Sequence, residues 1–267
     1  MMIDELIKKH RETNGQIKKG GNKKVRLFDD YVLLAGSFKE DEIKKVILIS
    51  QELKNKGVNI VPTLEYQIVY SPNELGYARG YVLQPRAQGT EIYHPDMPTD
   101  EHEQRLHDIA NMDTKKIDKF ISDWIDIEKA GLMVDPSKTT NFFYHDDGIS
   151  FIDLNLKEST KHEQLIDYFN YVCAILTDYC RQLYTPKEIE YTTKIITNVA
   201  ICFLNRGIKI KDITNVLSRG WMQTLTKPQI YAIVTSLQQK SNSDKTIATK
   251  NCHILNNNLQ KNTFRDI

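Results

Sequence analysis

The chain lacks several features that would assign it to a class at once. Its 36 basic and 35 acidic residues nearly cancel, so it has no strong field of one sign to recruit nucleic acid or a membrane surface. No stretch is long and apolar enough to span a bilayer, and the first residues lack the apolar core of a secretory signal. We therefore predict no nucleic-acid or membrane partner and a cytoplasmic location, although this composition is also compatible with export by a specialised secretion system.

Cysteine is scarce, and histidine shows no pattern. The four cysteines have no Cys-x-x-Cys spacing, and three of them fall in predicted helices, where a buried free thiol is the expected state. The histidines lack metal-ligand spacing, and no Ser-His-Asp order or nucleophile elbow is present. The sequence predicts a reduced compartment and offers no zinc site or hydrolase triad. The cysteines are Cys173, Cys180, Cys202 and Cys252.

Two acids and an amide near the middle of the chain have spacings with a chemical interpretation. Asp135 ends a short apolar run, Asn141 begins the strand-like residues 142–144, and Asp153 follows a second apolar run, residues 149–152. A turn joins the two runs, so a hairpin would bring Asn141 and Asp153 to the same end. Phosphoryl transfer needs an acid that orients the acceptor hydroxyl and oxygen ligands that hold Mg²⁺ against the phosphates. These three residues supply such groups.

This order resembles the catalytic loop, hairpin and metal-binding aspartate of the protein-kinase-like superfamily. The resemblance implies that Asp135 is the catalytic acid that accepts the hydroxyl proton, and that Asn141 and Asp153 are metal ligands. It further implies ATP and Mg²⁺ as cofactors. The phosphate acceptor would be a hydroxyl group on a small molecule or a protein.

Several departures separate the chain from ordinary protein kinases. Met133 and Val134 stand where His and Arg precede the catalytic Asp, and Leu154 replaces the Phe that follows the metal-binding Asp. The gap between the catalytic acid and the amide is also one residue longer. An alternative is that the three polar residues only start turns and cap loops in a helical interaction module.

The rest of the chain predicts elements that suit the same fold. Residues 37–40 have the spacing of a capping box that opens a helix from Phe38 to Lys56, which Gly57 ends. Strands are predicted near Ile17 and at residues 25–28, 31–34, 58–61, 65–70 and 80–83. Further helices are predicted at residues 101–111, 115–130, 164–183, 185–207, 211–217 and 227–239. Residues 185–188 have the spacing of a capping box that opens the fourth of these helices.

We therefore predict an α+β, two-lobed protein-kinase-like fold. A small antiparallel-sheet lobe with one helix would precede a mainly helical large lobe. The predicted boundaries are an N-terminal helix (1–14), a small nucleotide-binding lobe (15–84), a helical catalytic lobe (85–240) and a loosely held polar tail (241–267).

Kinase folds normally carry a lysine on the third strand, and the third predicted strand has none. In the with-no-lysine kinases the cation comes from the end of the glycine loop, two residues before the valine of the second strand. Lys23 has this relation to Val25, and Lys24 is the second candidate. The helix glutamate that would pair with the cation is open between Glu42 and Glu52. A pseudokinase that binds a protein partner without turnover is the alternative.

The resemblance also implies nucleotide contacts in the small lobe. Gly20 and Gly21 would form the loop over the phosphates, and the backbone of Leu83, Gln84 and Arg86 would meet the adenine at a hinge. A helix is predicted soon after the metal-binding acid, which leaves no room for a regulated activation segment. An active enzyme would then be a minimal kinase, similar to reduced bacterial effector kinases, or a small-molecule phosphotransferase similar to the aminoglycoside and choline kinase group.

Overall fold

The computed structural model describes residues 2–12, 17–20, 23–94, 96–157, 164–178, 185–219 and 225–243. The chain divides into two compact units. Unit 1 comprises Met1–His102 and Lys115–His162, and unit 2 comprises Glu103–Thr114 and Glu163–Ile267. Within the described ranges no helix is both long and apolar enough to cross a membrane. The lobe boundaries predicted from the sequence stay predictions.

A five-stranded antiparallel sheet dominates the first part of unit 1. The strands are β1 (Ile17–Gly20), β2 (Lys23–Leu27), β3 (Tyr31–Lys39), β4 (Glu65–Tyr70) and β5 (Tyr77–Pro85), in the order β1-β2-β3-β5-β4. The helices beside them in the chain are α1 (Met2–Glu12) and α2 (Glu40–Asn55). On one face of the sheet, Leu33 and Leu83 form a buried cluster with Ile3 and Ile7 of α1. The predicted sheet with a single helix between its strands is confirmed.

The second part of unit 1 is an aromatic core between a helix and a hairpin. Its elements are β6 (Thr90–Glu91), the start of α3 (Thr99–Ala110), α4 (Thr114–Lys129), β7 (Leu132–Met133), β8 (Phe142–His145), β9 (Gly148–Phe151) and β10 (Asn155–Leu156). Phe120 and Trp124 of α4 contact Phe142 and Phe151 of the hairpin, with neighbouring ring centroids 5.0–6.0 Å apart. The rings hold the β8–β9 hairpin against α4.

The hairpin and the segment after α2 are also tied by backbone bonds. The Asn59 carbonyl accepts from the Phe151 N–H (2.9 Å), and the Phe151 carbonyl accepts from the Val61 N–H (2.9 Å). The buried carboxylate of Asp123 accepts from the Asn59 N–H at 3.1 Å. This corrects the strand predicted at residues 58–61, where only Ile60 makes a β-bridge, to Phe151.

Unit 2 consists of helices in its described residues. They are the end of α3, α5 (Leu165–Leu176), α6 (Pro186–Asn205), α7 (Ile210–Arg219) and α8 (residues 227–243). The predicted capping box of α6 is confirmed, since the Thr185 hydroxyl accepts from the Glu188 N–H (3.0 Å) and the Glu188 carboxylate accepts from the Thr185 N–H (2.9 Å). Cys173 is a buried free thiol whose pKa is raised by burial, and Cys202 is also buried. Cys180 and Cys252 lie outside the described residues.

Some predicted boundaries were wrong. Ser37 and Phe38 do not open a helix, because β3 continues through them in register with Arg79 and Ala78 of β5. The helix α2 therefore begins at Glu40, without a side-chain cap. The helix α5 ends at Leu176, and residues 179–183 of its predicted range lie outside the described residues. The last helix continues to residue 243, past the predicted start of the loosely held tail.

Gly89 is required where the chain leaves β5 and meets the hairpin. Its φ is +81°, and a Cβ there would lie 2.0 Å from the Tyr144 carbonyl oxygen. We expect Gly89→Ala to lower the free energy of unfolding by about 3 kcal/mol, because an L residue pays about 1 kcal/mol for the left-handed backbone and the two backbones must also separate. Urea unfolding followed by circular dichroism measures this loss.

Gly76→Ala is the matched control for this prediction. Gly76 has a similar φ of +79°, but a Cβ there meets nothing within 4 Å. We expect only the backbone cost of about 1 kcal/mol. Equal losses in the two variants would contradict the close approach at Gly89.

Candidate active site

A cleft of about 1070 Å³ lies within unit 1. The sheet contributes apolar side chains from β2 and β3, and the hairpin region contributes Phe143 and Ile152. The sheet residues that line the cleft are Val25, Leu27, Val32 and Leu34. The charged and polar residues of the lining include Gln84, Arg86, Glu91, His94, Glu101, Lys138, Thr140, Asn141, Asp153 and Asn155. The cleft therefore combines an apolar slot with a polar floor and rim.

Asp135 lies on the loop that follows β7. The pairing of Met133 with Asn155, in β7 and β10, brings the chain before Asp135 beside the chain after Asp153. This ladder of two residue pairs was not predicted from the sequence. It holds the two predicted functional acids on neighbouring segments.

The side chain of Asp135 is held by hydrogen bonds. One carboxylate oxygen, Oδ1, accepts from the Ser137 N–H (3.0 Å) and hydroxyl (2.6 Å), and the other, Oδ2, lies 3.1 Å from the Lys138 ammonium. Partial burial on its own would raise the pKa of Asp135, but the bonds from Ser137 and Lys138 outweigh it, and the net pKa lies below the ordinary value. The carboxylate is therefore ionised at neutral pH and able to accept a hydrogen bond.

Asn141 links Asp135 to the segment of Asp153. Its amide nitrogen donates to the backbone carbonyl of Asp135 (3.4 Å), and its backbone carbonyl accepts from the Ile152 N–H (2.9 Å). Asp153 has a left-handed φ of +52°, and its carbonyl accepts from the Asn155 side chain (2.9 Å). Asn141 and Asp153 both line the cleft, whereas Asp135 is not among the described lining residues. The structure thus brings the three predicted residues together.

Asn141 and Asp153, which carry an amide and a carboxylate, both line the cleft, and oxygen ligands of these kinds suit Mg²⁺. Among the residues that the structure describes, no three His, Cys, Asp or Glu side chains form a ready metal cluster. Mg²⁺ in nucleotide sites is commonly held by one or two carboxylates, with phosphates and water completing its octahedron. Because the Asn141 nitrogen already donates to Asp135, its side-chain oxygen remains for a cation. A preformed protein cage is not needed.

The third strand does contain a lysine, which corrects the sequence prediction. β3 extends to Lys39, whose ammonium pairs with Glu42 at 3.0 Å. Side chains alternate between the two faces of a strand. Lys39 therefore belongs to the face opposite to that of the cleft-lining Leu34, whereas Gly36 belongs to the same face as Leu34. No β3 lysine is among the described lining residues of the cleft. Glu42 is engaged with Lys39 and Glu52 is exposed, so neither borders the cleft in the described residues.

The glycine loop is only partly described. Gly20 pairs with Lys23 at the closed end of the β1–β2 hairpin, and Gly21 lies outside the described residues. Lys23 stands two positions before the cleft-lining Val25, at the same strand parity. Lys24 is exposed and has the opposite parity. The choice between the two candidate cations stays a prediction.

The predicted hinge residues divide between the cleft and the core. Gln84 and Arg86 line the cleft. Leu83 instead is fully buried in the cluster with α1, and its carbonyl accepts from the Leu64 N–H at 2.8 Å. The Arg86 N–H donates to the Asp30 carbonyl at 2.8 Å. Of the predicted backbone contacts to adenine, the Leu83 carbonyl and the Arg86 N–H are therefore already used within the protein.

Four charged or titratable residues of the lining were not predicted as site residues from the sequence, namely Glu91, His94, Glu101 and Lys138. The position of Lys138 between Asp135 and Asn141 was the signal that could have found it. Glu91 and Glu101 were not singled out, and His94 was among the histidines that lack metal-ligand spacing. Nothing in their local pattern distinguishes them from ordinary exposed residues.

The order of elements decides the fold class. A strand hairpin, a third strand, one helix and two more strands lead to a cleft, and an acid, an amide and an acid follow on a loop and hairpin. The fold is kinase-like. The predicted fold class is thus confirmed, with an antiparallel sheet and helix first and a mainly helical part after it.

The kinase-like fold matches solved structures only at low identity. No protein-family model and no curated protein matches the chain. Among solved structures, the kinase PK-1 of Cydia pomonella granulovirus is 10% identical with a TM-score of 0.39, and the match covers 88% of this chain and 91% of that one. WaaP, solved in complex with acyl carrier protein, is 11% identical with a TM-score of 0.42, over 88% of this chain and 92% of that one.

A third match is a protein without activity. ROP2 from Toxoplasma gondii, a virulence factor with a protein-kinase fold and no enzymatic activity, is 9% identical with a TM-score of 0.42, over 79% of this chain and 82% of that one. Because the matches include both a kinase and an inactive protein, they do not distinguish an enzyme from a pseudokinase.

Proposed function

We propose that the protein is a kinase-like phosphotransferase that moves the γ-phosphate of ATP to a hydroxyl acceptor in the presence of Mg²⁺. The observation that carries the proposal is the pair of bonds from Asn141, one to the Asp135 carbonyl and one to the N–H beside Asp153. They connect the loop of the ionised Asp135 to the segment of Asp153, beside a cleft that Asn141 and Asp153 line. Such an assembly has the groups that phosphoryl transfer requires.

In this proposal the residues of the chain position the two substrates and deprotonate the acceptor hydroxyl. They form no covalent intermediate. Asp135, held by Ser137 and Lys138 in its ionised form, orients the acceptor hydroxyl and takes its proton as that oxygen bonds to the γ-phosphorus. The bond from the γ-phosphorus to the bridging oxygen breaks in the same step, and ADP leaves. Asn141 and Asp153 would hold the cation, and Mg²⁺ bound there would supply positive charge where negative charge develops. Lys138, which lines the cleft, adds a second positive charge near the acceptor.

We propose Lys23 as the cation that replaces the missing strand lysine. Lys23→Met is expected to weaken ATP binding about tenfold, since a charge-assisted contact to phosphate contributes about 1.5–3 kcal/mol. Lys24→Met is the matched control, because the neighbouring residue has the opposite strand parity, and it should bind ATP as the unmodified protein does. Titration calorimetry measures both. Equal losses in the two variants would point to a diffuse effect of charge and reject the assignment.

A pseudokinase is the second candidate, and Gly36 favours it. This glycine belongs to the face of β3 that lines the cleft, but it has no side chain to hold a phosphate. The candidates differ in how ATP binding depends on metal. They also differ in turnover, since a pseudokinase binds a protein partner without transfer.

A thermal-shift assay with ATP, with and without Mg²⁺, tests the proposal. A ligand at 100 times its Kd stabilises the protein by about 2.7 kcal/mol. Stabilisation that requires Mg²⁺ is the expected result. Equal stabilisation without metal would favour the pseudokinase, and the absence of any response would reject both.

A further inference from the structure

One wall of the cleft contains a buried carboxamide. Gln84 comes from β5, where it pairs across the sheet with the cleft-lining Val32. Only 8% of Gln84 is exposed although it borders the cleft, and its charged neighbour Arg86 is exposed. The donors and the acceptor of a buried amide need hydrogen-bond partners, because each group without a partner destabilises the folded protein by the free energy of its desolvation. Gln84 is therefore a polar group in the apolar part of the cleft.

A chain of hydrogen bonds fixes the orientation of this carboxamide. The Gln84 side-chain nitrogen donates to the Thr63 hydroxyl at 3.1 Å. The Thr63 N–H donates to the Ser50 hydroxyl at 3.3 Å, and that hydroxyl donates to the Ile47 carbonyl at 3.1 Å. Thr63 and Ser50 are themselves buried, with 3% and 0% of their surfaces exposed. Because the nitrogen is held toward Thr63, the side-chain oxygen Oε1 is the end of the amide left for the cleft.

The surroundings suit a flat ring. Leu34 on the sheet and Ile152 after the hairpin both line the cleft with aliphatic surface. A nucleobase in the cleft would meet this aliphatic surface and the carboxamide of Gln84. Adenine carries an amine at the 6-position, which donates a hydrogen bond, whereas guanine and hypoxanthine carry a carbonyl, which accepts one. An oxygen atom in the protein favours the amine and disfavours the carbonyl.

We propose that Gln84 selects the nucleobase by accepting a hydrogen bond from the 6-amine of adenine, and that Thr63 positions it for this role. The proposal rests on the proposed function, because it assumes that a nucleotide occupies the cleft. It assigns base recognition to a side chain, whereas the Leu83 carbonyl and the Arg86 N–H are bonded within the protein. It also connects base recognition to α2 through Ser50.

Titration calorimetry with ATP, ITP and GTP in the presence of Mg²⁺ tests the selection. ITP carries a carbonyl in place of the 6-amine of ATP and a hydrogen on the neighbouring N1. We expect the unmodified protein to bind ATP at least about tenfold more tightly than ITP, because a site built around one polar group rejects an analogue that cannot pair with it. Gln84→Leu should weaken ATP binding and reduce the ATP preference to within about threefold.

A second variant keeps the test independent of the folding of Gln84→Leu. Thr63→Val removes the hydroxyl that holds the carboxamide but keeps the size of the side chain, and circular dichroism checks that it is folded. We expect it to lose most of the preference for ATP over ITP, because the freed amide can turn its nitrogen toward the base carbonyl.

Several outcomes would overturn the inference. Equal binding of ATP and ITP by the unmodified protein, a preference for ITP or GTP, or a full ATP preference in folded Gln84→Leu would each do so. If nucleotides bind without discrimination, only base selection by Gln84 is rejected. If no nucleotide binds, the proposed function is rejected together with it.

Discussion

Replacement of Asp153 with asparagine is expected to abolish the Mg²⁺-dependent part of ATP binding and to reduce phosphoryl transfer about a thousandfold or more. Asn keeps the shape of the side chain but removes the negative charge that a hard cation prefers. Asn141 would then be the remaining protein ligand in the proposed pair. The left-handed backbone at position 153 tolerates Asn as well as Asp, so the fold should be retained. The loss therefore reports the missing charge.

Asp147→Asn is the matched control. Asp147 lies in the exposed turn of the same hairpin, so the same chemical change is made without touching the cleft. We expect its ATP titrations, with and without Mg²⁺, to match those of the unmodified protein. Binding of ATP without metal should be unchanged in both variants. Unaltered Mg²⁺ dependence in Asp153→Asn would remove Asp153 from the metal site and with it the proposed mechanism.

The sequence predicted those parts of the fold that depend on local signals. The capping box at Thr185 and Glu188 formed as expected, because both partners lie within one turn of the chain. The β8–β9 hairpin was also predictable, since two short apolar runs flank a turn that ends in Gly148. The positions of Asn141 and Asp153 follow from that hairpin. The site was visible because its spacing is local.

Pairings between distant residues were not predictable. β7 and β10 have two residues each, too few for a periodic pattern, and their pairing of Met133 with Asn155 depends on the tertiary fold. Ser37 illustrates the opposite error. Its spacing matches a capping box, but the long register between β3 and β5 satisfies its backbone and keeps it in the strand.

The face of the sheet to which a strand residue belongs depends on how the whole strand is oriented in the fold. The side chain of Leu83 lies on the face of the sheet that packs against α1. Its neighbour Gln84 has the opposite parity and borders the cleft. A sequence shows that two neighbours face opposite ways, but not which of them faces the ligand. That choice follows from the packing of α1 on the sheet.

Asp135→Asn is expected to lower the transfer rate by about two to four orders of magnitude while leaving MgATP binding nearly unchanged. The side chain of Asp135 is the proposed proton acceptor, and an amide cannot take the proton. Asn141, in contrast, is held by the backbone carbonyl of Asp135, which the substitution preserves. The variant should therefore separate kcat from nucleotide affinity. A loss of both would mean that the side chain supports the fold of the loop.

The hydrogen bonds from Ser137 give this prediction a pH dependence. They lower the pKa of Asp135 by stabilising its ionised form, so Ser137→Ala should raise that pKa toward its ordinary value. Transfer needs the ionised acid, and its rate falls as the pH drops through the pKa. The acid limb of the rate profile should therefore move to higher pH in Ser137→Ala, with the rate at neutral pH little changed. A shift to lower pH, or none, would show that another group limits the rate on the acid side.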